Sequence, residues 1–350
     1  MSQLRQVHLD TPLAHSPAVV SDAARPMRAI VHRRYGTPDV LAFEELERPV
    51  PGDDEVLVRV HAAGASIGDH HLVTGKPYVI RLSPHAGILR PGSSVPGKAL
   101  AGRVAAVGAK VTTLAVGDEV YGDTPAGAFA EYAVVPAHLL APKPANLSFE
   151  EAAAIPWAVT PLQALRDVGR LQAGQKVLIN GAAGGVGTWA IQIAKALGAK
   201  AVVTSSSDEK LERAGELGAD AAVNHASGDV REAVAEATGG RGVEVVLEHV
   251  GEATWQSSLQ AARAGGRIVV CGATSGPNPP AALHRIWWKQ LTIYGSTMGT
   301  REDFEAAYEL VKSGRVKPVV DSVFPLEQSP AAHERMEAGE QFGKIVLTIP

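Results

Sequence analysis

The stretch Lys176-Val177-Leu178-Ile179-Asn180-Gly181-Ala182-Ala183-Gly184-Gly185-Val186-Gly187 decides how this chain is read. An apolar run stops at Asn180, glycines follow, and a helix-forming segment from Thr188 to Leu197 comes next. Glycine has no Cβ, so the backbone there can take positive φ and come close to a ligand. At the start of a helix the free N–H groups point outward, which suits a pyrophosphate. The pattern is GxGxxG with Ala182 in the place of the first glycine. The strand before it and the helix after it supply the context that makes it a dinucleotide cradle.

Alternation of strand and helix continues downstream. Strands are expected at Lys200 to Thr204, Ala221 to Asn224, Val243 to His249, Arg267 to Cys271 and Leu291 to Tyr294, separated by helical stretches. That order implies a parallel sheet with right-handed crossovers. Upstream, from Met27 to about Pro144, short β-branched runs are punctuated by Gly and Pro: Arg28 to His32, Glu55 to Ala62, Gly102 to Val107, Glu119 to Tyr121 and Phe129 to Val135. They read as an all-β, barrel-like unit. Asn146-Leu147-Ser148 marks the passage between the two, with Ser148 as an N-cap and Glu151 as its capping-box partner. After Ser296 come a helix (Glu302 to Ser313), a strand (Val319 to Phe324), a helix (Pro330 to Ala338) and a strand (Lys344 to Ile349), a tail expected to return to the first unit. The fold class is therefore α/β.

With 350 residues, 45% hydrophobic and 20% charged, the chain is long enough for two domains. A net charge of -4 with scattered Lys and Arg gives no basic field for nucleic acid or an anionic membrane. The single cysteine, Cys271, excludes an internal disulfide framework and a multi-cysteine zinc site, which fits a cytoplasmic location. Residues 1–26 hold no apolar core of signal-peptide length and read as a loose extension. No apolar run is long enough to span a bilayer.

Several motifs occur in order: Pro51 to Val58, Gly117-Asp118-Glu119-Val120-Tyr121-Gly122, Gly127 to Val134, Glu151-Ala152-Ala153-Ala154-Ile155-Pro156, the glycine turn, and Gln341-Phe342-Gly343-Lys344-Ile345-Val346. Through them the chain resembles the medium-chain dehydrogenase/reductase superfamily, in its zinc-independent, quinone oxidoreductase-like branch. The resemblance implies a GroES-like β-barrel catalytic domain over residues 27–148, completed by 297–350, and a Rossmann domain over 149–296. It also implies hydride transfer with a nicotinamide coenzyme and a homodimer. Metal-dependent relatives hold zinc through positions that match Ser66, Lys98, Ala99 and Pro156 here, none of which supplies a thiolate, imidazole or carboxylate. His70, His71 and His85 are the other candidate ligands, but neighbours on an irregular loop diverge, so no metal is expected.

NAD-binding relatives place an acidic residue about 20 residues past the glycine turn, at the ribose. Here the strand runs into Ser205-Ser206-Ser207, and the first acid, Asp208, already belongs to the next helix. Hydroxyls and Lys210, with Arg213 one turn on, suit a 2′-phosphate, so NADPH is the expected coenzyme. His225 stands near the same phosphate. The serines also suit a helix cap. By resemblance, Thr160 touches the nicotinamide amide and Ala183, Gly184, Gly185, Val186 and Gly187 line the cradle. Val250, Cys271, Gly272, Ala273, Ser296, Thr297 and Met298 lie at carboxyl ends of strands along the coenzyme, and Phe342 and Lys344 close on it. Cys271, in an apolar strand, reads equally as a small buried hydrophobe.

Hydride transfer leaves negative charge growing on the acceptor oxygen, and without a metal a hydroxyl, ammonium or imidazole must meet it. Ser66, Asp69 and Lys98 are the leading candidates, with His70, Tyr78 and Tyr121 behind them. Each has a plainer reading as a turn, cap or surface residue, Asp69 as a helix N-cap among them. A conjugated enone or quinone needs less electrophilic help than a simple ketone, and so ranks first as acceptor. A metal-free carbonyl reductase or alcohol dehydrogenase is the alternative; a coenzyme-binding sensor or scaffold without turnover is the third. Trp157, Trp287 and Trp288 could line a substrate cleft, although core or a subunit interface suits the last two better.

Overall fold

The computed structural model describes residues 26–83 and 86–350; the rest of the expected N-terminal extension and His85 lie outside the described residues. At its start β1 (Pro26–Val31) pairs antiparallel with β2 (Ala42–Glu47). Next come β3 (Glu55–Ala65), the helix α1 (Ile67–Thr74) that leaves its end, β4 (Ala99–Val107), β5 (Glu119–Asp123), β6 (Tyr132–Pro136) and β7 (Leu140–Pro142). Short helices α2 (Phe149–Ala152) and α3 (Val159–Leu162) lead into a π-helical segment, Gln163–Val168. Ser148 caps α2 through a capping box with Glu151, as the sequence predicts.

The second part alternates as expected: β8 (Lys176–Ile179), α4 (Gly185–Ala196), β9 (Lys200–Ser205), α5 (Asp208–Glu216), β10 (Ala221–Asn224), α6 (Val230–Thr238), β11 (Val243–Glu248), α7 (Trp255–Ala261), β12 (Ala262–Val270), α8 (Leu283–Trp288) and β13 (Thr292–Gly295). Its six strands are all parallel, in the order β10-β9-β8-β11-β12-β13. This is the Rossmann arrangement, whose ligand crevice lies where the order reverses, beside β8. Helices cover both faces, so Val177, Leu178 and Ile179 of β8 are all buried, an unbroken apolar run rather than an alternating one.

The tail consists of α9 (Arg301–Lys312), β14 (Val320–Pro325), α10 (Ser329–Glu337) and β15 (Lys344–Thr348). β15 runs antiparallel to β3, pairing Ile345 with Ala65 and Thr348 with Ala62. The last strand thus completes a seven-stranded sheet, β14-β15-β3-β4-β5-β7, with β6 paired to β3. Ile30, Val58, Val60, Leu100, Phe129 and Leu347 bury together in this barrel-like part. A separate apolar cluster joins α4 to the α/β sheet. Gln192 on α4 is bonded to both backbone groups of Lys317, which ties the tail to the α/β unit.

Some element limits differ from expectation. α4 begins at Gly185, so the last glycines are its first turn instead of a loop before it. β12 starts at Ala262 rather than Arg267, through two glycines whose low strand propensity conceals it. β2, largely polar and with most of its residues exposed or half-buried, carries no apolar signal in the sequence. Trp287 and Trp288 are not core: they are 64% and 76% exposed, edge to face at 5.3 Å, beside the open sheet edge at β13.

Candidate active site

The glycine turn is built from β8 outward. Asn180, fully buried, donates its amide to Glu248 Oε2 (3.0 Å) and Ser258 Oγ (2.9 Å). Glu248 also accepts from Val250 N (2.8 Å), Gly251 N (2.9 Å) and Thr254 Oγ1, so its charge is satisfied while it clamps the ends of β8 and β11. Gly181 takes φ +68°, and Ala182 N donates to Thr204 O at 2.8 Å. A Cβ on Gly187 would stand 2.3 Å from Gly181 O, which is why the helix can pack against its own turn only with glycine there. A Cβ on Gly184 would meet nothing closer than 3.7 Å, and Gly184 caps α4 without any side-chain bond. The N-cap of α4 is therefore uncrowded at Gly184 and carries no side-chain cap, as a phosphate cradle requires.

At the end of β9, Ser205 is buried and Ser206 exposed, and Ser207 caps α5 by accepting from Lys210 N at 3.4 Å. Asp208, the first acid, accepts from Asn224 Nδ2 at 2.8 Å. Lys210 Nζ donates to Gly339 O at 2.5 Å, and burial lowers its pKa. The Arg213 guanidinium lies 4.2 Å over the ring of Phe342. His225 is exposed, with its N–H on Ser205 O at 2.9 Å.

Val250, Cys271, Gly272 and Ala273 follow the ends of β11 and β12, and Cys271 N donates to Glu248 O. Cys271 is just past its strand and half-buried, and burial pushes its thiol up to about 12, which leaves it a protonated, inert thiol. Ser296 Oγ donates to Gln163 Oε1 (2.8 Å), and Thr297 precedes Met298, which takes φ +57°. Lys344 is buried with its ammonium 4.4 Å from the centroid of Trp157, and burial draws its pKa down to about 8 against the pull of Asp69. Gly343 N donates to Ala183 O at 2.9 Å, so this segment docks onto the cradle.

Ser66, Asp69 and Lys98 do come together, but not as free groups. Ser66 is the N-cap of α1, and Asp69 is the third residue of that helix rather than its cap. Ser66 Oγ donates to Asp69 Oδ2 at 2.6 Å, while Asp69 N donates back to Ser66 Oγ at 3.2 Å. Asp69 is fully buried with Oδ1 unpartnered; burial raises its pKa, opposed by the Ser66 bond and by Lys344 and Lys98. Lys98 lines a recess of about 20 Å³ with His32 and Tyr35. Tyr121 is buried and stacked on Phe304 at 5.3 Å, with its hydroxyl unpartnered, and Tyr78 is exposed.

The larger cavity, about 300 Å³, is walled by Trp157, Thr160, Leu139, Met298 and Phe304, with Asp123, His138 and Arg301 as its titratable groups. Thr160, Trp157 and Met298 are among the residues the sequence singles out. Asp123, His138 and Arg301 are not, because nothing in their spacing marks them and only the fold brings residues 123, 138 and 301 to one wall. Burial lifts Asp123 to about 6, against the pull of Lys98 and with a further push from Asp69. His70 lies 6.3 Å from His71 and 5.9 Å from His333, ring to ring, and among the described residues no three His, Cys, Asp or Glu side chains converge to hold a metal.

Residues 52–145 match the alcohol dehydrogenase GroES-like domain family and residues 185–313 the zinc-binding dehydrogenase family. The quinone oxidoreductase of Homo sapiens is 31% identical, over 92% of this chain and 98% of its own length. Among solved structures, an NAD-dependent alcohol dehydrogenase superimposes with a TM-score of 0.86 at 37% identity, covering 93% of this chain and 100% of that one. The Escherichia coli quinone oxidoreductase complexed with NADPH superimposes with a TM-score of 0.83 at 31% identity, covering 92% and 100%.

Proposed function

The chain belongs to the medium-chain dehydrogenase/reductase superfamily, among its quinone oxidoreductase-like oxidoreductases, and from that premise we propose that it passes hydride from NADPH to an enone or quinone without zinc. The observation that carries the reading is the chemistry of the donor set. Where a zinc would sit, the side chains are a hydroxyl already bonded to Asp69, an ammonium, a methyl group and a proline ring: Ser66, Lys98, Ala99 and Pro156. They do not fit a divalent cation.

The dinucleotide cradle does fit its ligand. The open face at Gly184 and the uncapped amides of α4 suit a pyrophosphate, with Ala183, Gly185, Val186 and Gly187 completing the turn. We assign the 2′-phosphate to Ser205, Ser206, Lys210 and His225, and the strand ends at Val250, Cys271, Gly272, Ala273, Ser296 and Thr297 to the length of the coenzyme. Thr160 and Lys344 take the end nearest the cavity. When bound, the nicotinamide supplies the hydride. The apolar walls exclude water, Lys98 offsets charge developing on the acceptor oxygen, and the Ser66–Asp69 pair fixes the start of α1 beside it. The similarity of E. coli quinone oxidoreductase, whose structure holds NADPH, supports this coenzyme.

Residues 27–148 with 297–350 are taken as the catalytic domain and 149–296 as the coenzyme domain. We further propose a cytoplasmic homodimer joined along the β13 edge, where Trp287 and Trp288 stand exposed; sedimentation as a monomer would refute it. The similarity to an NAD-dependent alcohol dehydrogenase favours the second reading, a metal-free carbonyl reductase. Turnover of one enone separates the two, since the first reading yields the saturated ketone and the second an allylic alcohol. Preference for NADH over NADPH would overturn the coenzyme assignment, and stoichiometric zinc in the purified protein the metal-free one. Binding of NADPH without oxidation across enones, quinones and aldehydes would leave only a sensor or scaffold.

A further inference from the structure

We propose that Asp123 is a catalytic residue, the acid that hands the acceptor its proton, an inference that rests on the reduction assigned above to the cavity beside Thr160. Asp123 ends β5, where it pairs with Ala99 of β4, and the following Thr124 N donates to Lys98 O at 2.6 Å. Its position is thus fixed by backbone pairing to the start of β4. Its side chain shares the wall of the cavity with Trp157, Thr160 and Phe304, and among the described residues it is the one carboxyl there.

The charged and titratable groups facing it come from four elements. Lys98, just before β4, favours the carboxylate, and Asp69 on α1 disfavours it. His138 and Arg301, on the helical turn after β6 and at the start of α9, share the cavity wall. Burial dominates, so the carboxyl keeps its proton up to about 6, close enough to neutrality to give it up and recover it in each cycle. The other candidate donors fit less well. Ser66 is bonded to Asp69, Cys271 is held at about 12, and Tyr121, buried and stacked on Phe304, is not among the cavity's lining residues.

The balance is simple. A nicotinamide hydride donor adds two electrons and one hydrogen to the acceptor carbon, leaving the acceptor oxygen negative. The O–H bond of the Asp123 carboxyl breaks, an O–H bond forms on the acceptor, and a carboxylate remains that water reprotonates. With a quinone this one hydride and one proton already make up the hydroquinone, whose aromatic ring is restored by tautomerisation in solvent; with an enone the enol relaxes to the ketone in solvent.

The test uses the full chain with NADPH and two acceptors, menadione and methyl vinyl ketone. The expected result is a wild-type kcat/KM that falls as pH rises above about 6. Asp123→Asn should lose that limb and about a hundredfold in kcat, while Asp123→Glu keeps the limb at a shifted position. Infrared difference spectra of the coenzyme-free protein between acid and neutral pH should show a carboxyl carbonyl band in wild type that Asp123→Asn lacks. If Asp123→Asn fails to fold, the limb and band in Asp123→Glu decide, and their lack of any shift overturns the proposal. Turnover by Asp123→Asn within about threefold of wild type, with the same limb, overturns it alone. A wild type that oxidises NADPH with neither acceptor overturns the functional reading, and this inference with it.

Discussion

The Lys344 ammonium lies 4.4 Å from the centroid of the Trp157 ring, while its stem presses on Gly185, whose would-be Cβ stands 2.6 Å from Lys344 Cδ. One side chain therefore spans from the phosphate cradle to the cavity wall. Lys344→Met should raise the dissociation constant for NADPH about tenfold or more, read from quenching of protein fluorescence. An unchanged constant would remove Lys344 from the coenzyme site.

The same group sets an alkaline trend. Its folded pKa is about 8 against an ordinary 10.5, so between those values the unfolded chain holds more protons than the folded one. Stability contributed through Lys344 then rises as pH climbs through that window, and coenzyme affinity falls as the ammonium is lost. Denaturant melts of wild type and Lys344→Met across the window should diverge with that sign; parallel curves would sink the assignment.

Two glycines in one turn should fail in different ways. Gly184→Ala meets open space at φ -72°, so the melting temperature should hold while affinity for NADPH drops about tenfold or more, because the methyl occupies the phosphate's approach. Gly187→Ala drives a Cβ to 2.3 Å from Gly181 O and should cost about 2 kcal/mol of stability. If both variants lose stability equally, the open face at Gly184 is not a binding surface.

Coenzyme choice should follow Lys210. Its Nζ is held on Gly339 O, and Asp208, the first acid after β9, is engaged by Asn224. Lys210→Met should lower the ratio of kcat/KM for NADPH over NADH by about tenfold, with the NADH value little changed. A ratio that stays put would assign selectivity elsewhere.

Acid should strike the barrel through His333. It is fully buried with neither ring nitrogen bonded, and burial, helped by His70 and His32, holds it down to about 3. The folded pKa is below the ordinary 6.5, so the unfolded state takes up protons first and stability drains as pH falls from 6.5 toward 3. His333→Leu should recover about 3 kcal/mol of the loss seen on acidification to about pH 4. Urea melts of both proteins at neutral and acid pH check it, and an equal acid loss in the variant would acquit His333.

Much of this molecule is legible in its sequence because the signals are local. The β8 run, the glycines and the helix after them are contiguous, and Ser148 with Glu151 caps α2 as spacing alone predicts. The glycine turn between β8 and α4 is legible for the same reason. The cavity is not. Asp123 is set apart by its place on the cavity wall and by burial beside Lys98 and Asp69, which residues far apart in the chain create together. Ser66 illustrates the converse: its position resembles a catalytic one, yet its hydroxyl is engaged in capping α1, and spacing does not tell those uses apart.

That β15 hydrogen-bonds to residues 62–65 of β3 bears on how a ribosome makes this protein. Every strand of the parallel sheet has emerged by residue 295, so the middle of the chain can fold while synthesis continues. The upstream barrel waits with the 62–65 stretch of β3 lacking its β15 partner until the closing segment arrives, and a stalled or shortened chain would leave that stretch as an adhesive edge for chaperones or for its own neighbours.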